Sequence, residues 1–402
     1  CRSRHETVLD WHSQNALRPY VGYVDRALPC QAASTTGEFI LHLTDAAGIR
    51  RLSWLSGLLV ALMAAMPCAW AQSDTNDSST TTLRQRLKDK VQAHREARAS
   101  NASPQKGDAA SLERLTKPGT YNFTLRHGGL QRAYLVHVPR GYDAAVPTQV
   151  VVAFHGGGGD MNLQANNNYG IVGKADSAGF IAVFPNGYSR LPSGKLATWN
   201  AGNCCDRARD LKIDDVGFVR AMLVQLQARV RVDPQRIFAT GMSNGGMLSH
   251  RLACEMADTF RAIAPVAGTD GTLQCSPARP ISVLHIHAKN DTHVLYNGGA
   301  GQDAFRDETK VADFVSVPET INRWTQRNRC TALPRRVLEV PGAFCEAYAG
   351  CAEGVQVQLC VTEKGGHSWP GVKEVRSGKE PASQAINAND VMWEFFQRVS
   401  GR

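Results

Sequence analysis

Beyond residue 117, short apolar runs alternate with longer stretches in which apolar residues recur every three or four positions. The runs at 150–154, 181–184, 237–240, 262–266, 281–287 and 355–361 are of the continuous kind that marks strands covered on both faces. Helical spacing is found at 215–230, 246–256, 317–329 and 390–399. Ahead of them, 121–125 and 132–138 flank His127-Gly128-Gly129, which predicts a hairpin. Strands that alternate with helices predict an α/β domain, with a mostly parallel sheet and helices on both faces. No internal repeat is present, and no second domain is expected after the last helix.

Upstream of residue 117 the pattern is different. Arg50-Arg51 precede an apolar run over 52–66, and Ala69-Trp70-Ala71 leads into polar sequence. A positive start, an apolar centre of about 15 residues and an A-x-A site describe a secretory signal peptide. The run is short for a span of about 20 residues, which disfavours a membrane helix. Signal peptides stand at N-termini, so residues 1–45, which begin at Cys1 with no methionine before Met63, are expected to be a doubtful extension read from upstream of the true start. The expected organisation is extension 1–45, signal 46–71, polar linker 72–116 and one catalytic domain over 117–402. Within the linker, 84–98 carries six basic and two acidic residues with Leu83, Leu87 and Val91 four apart, a short basic amphipathic helix. That helix supplies four of the net +9 charges, so the charge says little about a ligand, and no nucleic-acid partner is expected.

The cysteines support the same compartment. Eleven are present, and removing 1–71 takes Cys1, Cys30 and Cys68 and leaves eight. An even count in an exported chain predicts disulfides. Adjacent Cys204 and Cys205 are each expected to find a distant partner, with Cys254 a candidate for one of them. Cys330, Cys345, Cys351 and Cys360 are expected to pair among themselves. Cys345 and Cys351 are spaced too widely for a structural zinc site, and no metal is expected.

The candidate chemistry centres on Gly241-Met242-Ser243-Asn244-Gly245, which follows the strand 237–240 and opens the helix 246–256. G-x-S-x-G between strand and helix places a serine hydroxyl on a sharp turn at the carboxyl edge of a sheet. A serine needs a base, and the base needs an orienting acid, delivered here in the order Ser…Asp…His. His250 lies two turns into the elbow helix, His285 and His287 lie in a strand, and His293 leaves little chain for an acid. His367, in Gly365-Gly366-His367-Ser368-Trp369-Pro370-Gly371, hangs on a loop after a late strand and is the candidate base. Asp291 follows the strand 281–287 and is the candidate acid, with Asp270 as its rival. The oxyanion needs two backbone donors. Asn244 N–H is one candidate, and the loop His155-Gly156-Gly157-Gly158-Gly159 supplies the other from Gly156 or Gly157. His155 itself is expected to be a structural hydrogen-bonder, and Asp215 to cap its helix.

These segments, with Trp199-Asn200-Ala201-Gly202, Asp214-Asp215-Val216-Gly217-Phe218 and Val232-Asp233-Pro234, resemble the secreted polyhydroxybutyrate depolymerase-type esterases, which are related to bacterial feruloyl and acetyl xylan esterases. The resemblance runs in order from about 120 to 399. It implies an α/β-hydrolase fold, the triad Ser243, Asp291 and His367, and no cofactor. Trp199 resembles a residue near the acyl or aromatic pocket, and Trp369, beside the base, is a second substrate-binding candidate. The family usually places glycine and a small residue before the acid, where this chain has Ala288-Lys289-Asn290.

The expected function is a secreted, extracellular or periplasmic, serine esterase acting on hydroxyalkanoate oligomers or polymer, or on feruloyl or acetyl esters of plant polysaccharide. The absence of room for a separate polymer-binding domain tilts the expectation towards soluble oligomers or polysaccharide-linked esters. The alternative is a catalytically weak hydrolase-like protein that binds carbohydrate or polymer. No stable membrane insertion is expected once the signal is removed, and the sequence leaves the oligomeric state open.

Overall fold

The computed structural model describes residues 113–304, 313–375 and 377–401. The expected extension, signal peptide and basic helix all lie outside the described residues, as does most of the expected linker.

Among the described residues, ten strands form one sheet in the order β1-β2-β4-β3-β5-β6-β7-β10-β9-β8. Its centre is β3 (Thr148–Phe154), β4 (Ile181–Pro185), β5 (Val232–Met242), β6 (Ala262–Val266), β7 (Ser282–Ala288) and β10 (Val357–Thr362), all parallel. The hairpin β1 (Gly119–His127) and β2 (Leu130–Val138) adds one antiparallel flank. A second hairpin, β8 (Arg335–Val340) and β9 (Ala343–Tyr348), adds the other. The hairpin expected at 121–138 is present with its turn at Gly128-Gly129, both in left-handed backbone. The β8–β9 pair was not expected. β8 is almost wholly exposed and carries Arg335, Arg336 and Glu339, so it has no apolar run to betray it. Charged edge strands of this kind discourage edge-to-edge pairing with other chains.

Side chains alternate across the sheet, as the two-residue period of a strand requires. Val150, Val152 and Phe154 point into one core layer, and Val151 and Ala153 into the other. The first layer is covered by α4 (Asp215–Gln227), α5 (Asn244–Glu255) and α6 (Val317–Arg327). The second is covered by α2 (Ile171–Ala178) and α7 (Ala388–Ser400), where Met392, Phe395, Phe396 and Val399 recur at helical spacing. Phe396 stacks on Phe238 of β5 with ring centroids 4.3 Å apart. Two further short helices, α1 (Met161–Gln164) and α3 (Asp206–Asp210), sit in connections.

Two local expectations are corrected. The N-cap of α4 is Asp214, whose carboxylate accepts from Gly217 N–H at 2.9 Å. Asp215 instead is wholly buried and accepts from Arg132 at 2.7 Å and from Asn200 N–H at 2.8 Å. Cys204 and Cys205 bond each other rather than distant partners, and Cys254 pairs with Cys275. The later four do pair among themselves, as Cys330–Cys351 and Cys345–Cys360.

Strand order positions the site. β3 connects to β4 on one side, and the chain then crosses back to β5 on the other. The switch in direction therefore falls between β3 and β5, and crevices outside the carboxyl ends of strands at such points are where α/β sheets bind ligands. The loops after β3, β5, β7 and β10 all leave from that same edge.

Candidate active site

β5 ends at Met242, and Ser243 takes φ 55° and ψ −120° before α5 begins. A non-glycine residue held there stores on the order of 1–3 kcal/mol of strain and persists only where its surroundings enforce it. The enforcement is visible. Ser243 N–H donates to Val266 O at 2.8 Å, and Ser243 O accepts from Met247 N–H at 2.9 Å. The flanking glycines are steric necessities: a β-carbon at Gly241 would come within 2.5 Å of the Gly245 backbone, and one at Gly245 would overlap the Phe154 carbonyl. Ser243 stays partly open to solvent while Asn244 is buried.

The loop after β3 lies against this turn. A β-carbon at Gly156 would stand 3.6 Å from Ser243 Cβ, and one at Gly157 would stand 3.6 Å from Asn244 Cβ. Among the described residues, neither Gly156 nor Gly157 N–H donates to a protein acceptor. Asn244 opens α5, where N–H groups have no intrahelical partner. The glycine loop thus packs directly against Ser243 and Asn244.

The loop is fixed from behind. His155 Nδ1–H donates to Gly156 O at 2.8 Å, and His155 Nε2 accepts from Gly187 N–H at 2.9 Å. Burial pushes the His155 ring down to about 4, so it stays neutral in that bracing role. Trp199 is 0% exposed. Its indole N–H donates to His155 O at 2.9 Å, its backbone N–H donates to Asn244 Oδ1 at 2.7 Å, and its carbonyl accepts from Asn244 Nδ2 at 3.1 Å. Trp199 therefore ties the glycine loop to the residue after the serine and presents no open ring face. Trp369, the other tryptophan singled out from the sequence, is 2% exposed and packs edge-on against Tyr169 at 5.7 Å.

Two residues from the other side of the edge meet each other. His367 Nδ1–H donates to Asp291 Oδ2 at 2.8 Å, with Asp291 fully buried and His367 18% exposed. The second carboxylate oxygen, Oδ1, accepts from His293 N–H at 2.8 Å and Val294 N–H at 2.9 Å. Burial opposes ionisation of Asp291, but the facing His367 and the donors around it outweigh that and hold the carboxyl well below the usual range. His293 stacks on the His367 ring at 4.3 Å, and burial pushes it down to about 4. Asp270, the rival acid, is spoken for: Thr272 donates to Oδ1 at 2.6 Å and Arg327 to Oδ2 at 2.5 Å.

Residues 134–320 match a family described as the Dienelactone hydrolase family. That stretch is just under half of the chain, and the curated relatives it is similar to include esterases. The chain is 32% identical over 243 residues to feruloyl esterase B of Piromyces equi, covering 59% of the chain but only 42% of that protein. It is 28% identical over 303 residues to the probable feruloyl esterase C of Aspergillus niger, covering 71% of the chain and 93% of that protein. The solved acetyl xylan esterase from Aspergillus awamori overlays at TM-score 0.47 and 13% identity, covering 69% of this chain and 99% of that chain.

Two further residues, Asn290 and His287, support the pair in roles that no sequence pattern marks. Asn290 Oδ1 accepts from Gly366 N–H at 3.1 Å and so pins the loop of Asp291 to the loop of His367. His287 Nε2 lies 2.9 Å from Val294 O and 3.3 Å from Asp291 Oδ2. Its two-residue spacing from His285 was a signal that both face the same side of β7, but not what they face. Among the described residues, no helix is long and apolar enough to cross a membrane.

Proposed function

We propose that this protein is a secreted serine esterase that cleaves carboxylic esters through an acyl-enzyme on Ser243. The observation that carries the reading is that a strained, solvent-accessible Ser243 and an already hydrogen-bonded His367–Asp291 pair stand on loops leaving the same edge of the sheet. Asp291 fixes His367 with its proton on Nδ1, which leaves Nε2 as the base. His367 takes the Ser243 proton as the oxygen attacks the ester carbonyl. The oxyanion settles among the N–H groups of Asn244, Gly156 and Gly157. Collapse expels the alcohol, protonated by His367, and water activated by the same ring then releases the acid. No cofactor enters these steps.

For the substrate, feruloyl or acetyl esters of plant polysaccharide are the first reading, supported by the names of the relatives. Hydroxybutyrate oligomers are the second, supported by the motif resemblance. The four disulfides among the described residues suit an oxidising compartment, and with the signal-like segment 46–71 they support export, the segment 117–402 being the catalytic domain.

The deciding experiment compares kcat/KM on methyl ferulate, acetylated xylan and hydroxybutyrate oligomers, with Ser243→Ala as control. Methyl ferulate or acetylated xylan is expected to lead. Ser243→Ala is expected to lose on the order of 10⁴-fold or more. Failure of a fluorophosphonate probe to label Ser243 in wild-type protein would sink the serine-esterase reading and leave the polymer- or carbohydrate-binding alternative. A mature N-terminus before residue 60 would refute the signal assignment.

A further inference from the structure

Beneath the candidate acid lies a file of buried histidines that the esterase mechanism does not use. His285 and His287 share one face of β7, the face covered by α5 and α6, and His250 of α5 lies over them. All three are essentially without solvent exposure. His285 Nε2 is 3.2 Å from His287 Nδ1, the His250 and His285 ring centroids are 5.6 Å apart, and Trp324 of α6 donates its indole N–H to His250 Nδ1 at 2.9 Å.

Hydrogen-bond chemistry fixes the proton positions. Indole N–H can only donate, so His250 Nδ1 is an acceptor and its proton sits on Nε2. At the other end, His287 Nε2 faces two oxygens, Val294 O and Asp291 Oδ2. A lone pair there would be repelled by both, so His287 carries its proton on Nε2. His287 Nδ1 is then an acceptor, His285 donates to it from Nε2, and His285 Nδ1 is left as an acceptor. His250 Nε2, beside the Gly268 backbone, is thus a donor, and His285 Nδ1, without a partner among the described residues, is an acceptor. Burial favours the neutral ring for His250 and His285, in keeping with this order.

We infer that His287 is a positioning residue for Asp291, held in its Nε2–H form by His285. It works in two ways. Its N–H bonds Val294 O, and Val294 N–H in turn bonds Asp291 Oδ1, so the ring clamps the turn that carries the acid. The same N–H offers Asp291 Oδ2 a second donor beside His367. Asp291 is thereby kept aimed at His367 Nδ1. The inference rests on the esterase reading for its catalytic consequence, but not for the proton order.

Two measurements test it. Long-range ¹H–¹⁵N correlation spectra of ¹⁵N-histidine-labelled protein, assigned with His287→Gln, read the tautomer directly. The Nε2–H form of His287 is expected, and an Nδ1–H form overturns the inference whatever the activity. For the kinetics, His287→Leu removes the donor, whereas His287→Gln restores an amide N–H near the place of Nε2. His287→Leu is expected to lower kcat about 10- to 100-fold with KM within about twofold, and His287→Gln to recover kcat to within about threefold of wild type. Unchanged kcat in His287→Leu, or no recovery in His287→Gln, overturns it. If His287→Leu does not fold, the tautomer and the His287→Gln kinetics decide. Absence of fluorophosphonate labelling in the wild type would instead strike the esterase reading and leave the tautomer result standing.

Discussion

On the β3–β5 side of the sheet edge, backbone packs directly on backbone. Gly241 and Gly245 let the elbow close against the Phe154 and His155 carbonyls, and Gly156 and Gly157 bring a second loop against Ser243 and Asn244. On the β7–β10 side, side chains do the holding. Asp291 is gripped by His367, two backbone N–H groups and the nearby His287, and Asn290 bridges to Gly366. The first half should break all at once, because its contacts admit no added atom. The second should degrade in steps, because each hydrogen bond can be removed while the chain path survives.

The largest effect is expected from Gly245→Val, which drives a branched side chain into the Phe154 carbonyl. Loss of more than about 4 kcal/mol of stability, or no soluble folded protein, is expected by chemical denaturation. A variant with wild-type Tm would mean that the elbow is not held by backbone contact. Next comes Asp291→Asn, which should fold yet lose on the order of 10⁴-fold in kcat, because the imidazole is no longer fixed in the right tautomer. Loss of folding in that variant, seen by circular dichroism, would erase the contrast between the halves.

Acid should weaken both halves in one pH window. His155 on the first side and His250 under the second are each held from 6.5 down to about 4 by burial. As pH falls below 6.5, the unfolded chain takes up protons that the folded one refuses. Stability is therefore full above that pH and is lost towards pH 4, by roughly 3 kcal/mol for each ring. Asp291, with its lowered value, adds a loss only below the ordinary carboxylate range. A Tm that is flat from pH 7 to pH 4.5 would contradict this. The smallest effect belongs to Asn290→Ala, which frees Gly366 N–H. A fall in kcat of about tenfold or less, with Tm lowered by a few degrees, is expected. A loss as large as that of Asp291→Asn would show the second half to be as brittle as the first.

The two halves also differed in how far the sequence revealed them. The elbow and the glycine loop were legible because a steric demand leaves a compositional trace. A turn that no β-carbon can enter must be written in glycine, and it stood between a recognisable strand and helix. The pairing of His367 with Asp291 was legible only as chain order, with Asp270 as a competitor. The structure separates the two carboxylates by giving Asp270 to Arg327 and Thr272. Trp199 was noticed for its ring, yet its burial behind His155 makes it a brace. The β8–β9 hairpin was invisible because an exposed edge strand needs no apolar period. The disulfide of Cys204 with Cys205 ran against the expectation that neighbours seek distant partners.

By itself the sequence determined the parallel sheet, the two covered faces, the place of the elbow and the order of the candidate residues, because periodicity and glycine spacing are local constraints. Only the tertiary structure decided which carboxylate meets the base, what stands behind the glycine loop, and that three histidines are buried together beneath the acid. Those are contacts between residues 44 to 76 positions apart, such as His155 with Trp199, His250 with Trp324 and Asp291 with His367, and no local pattern encodes which distant partner a polar atom will meet.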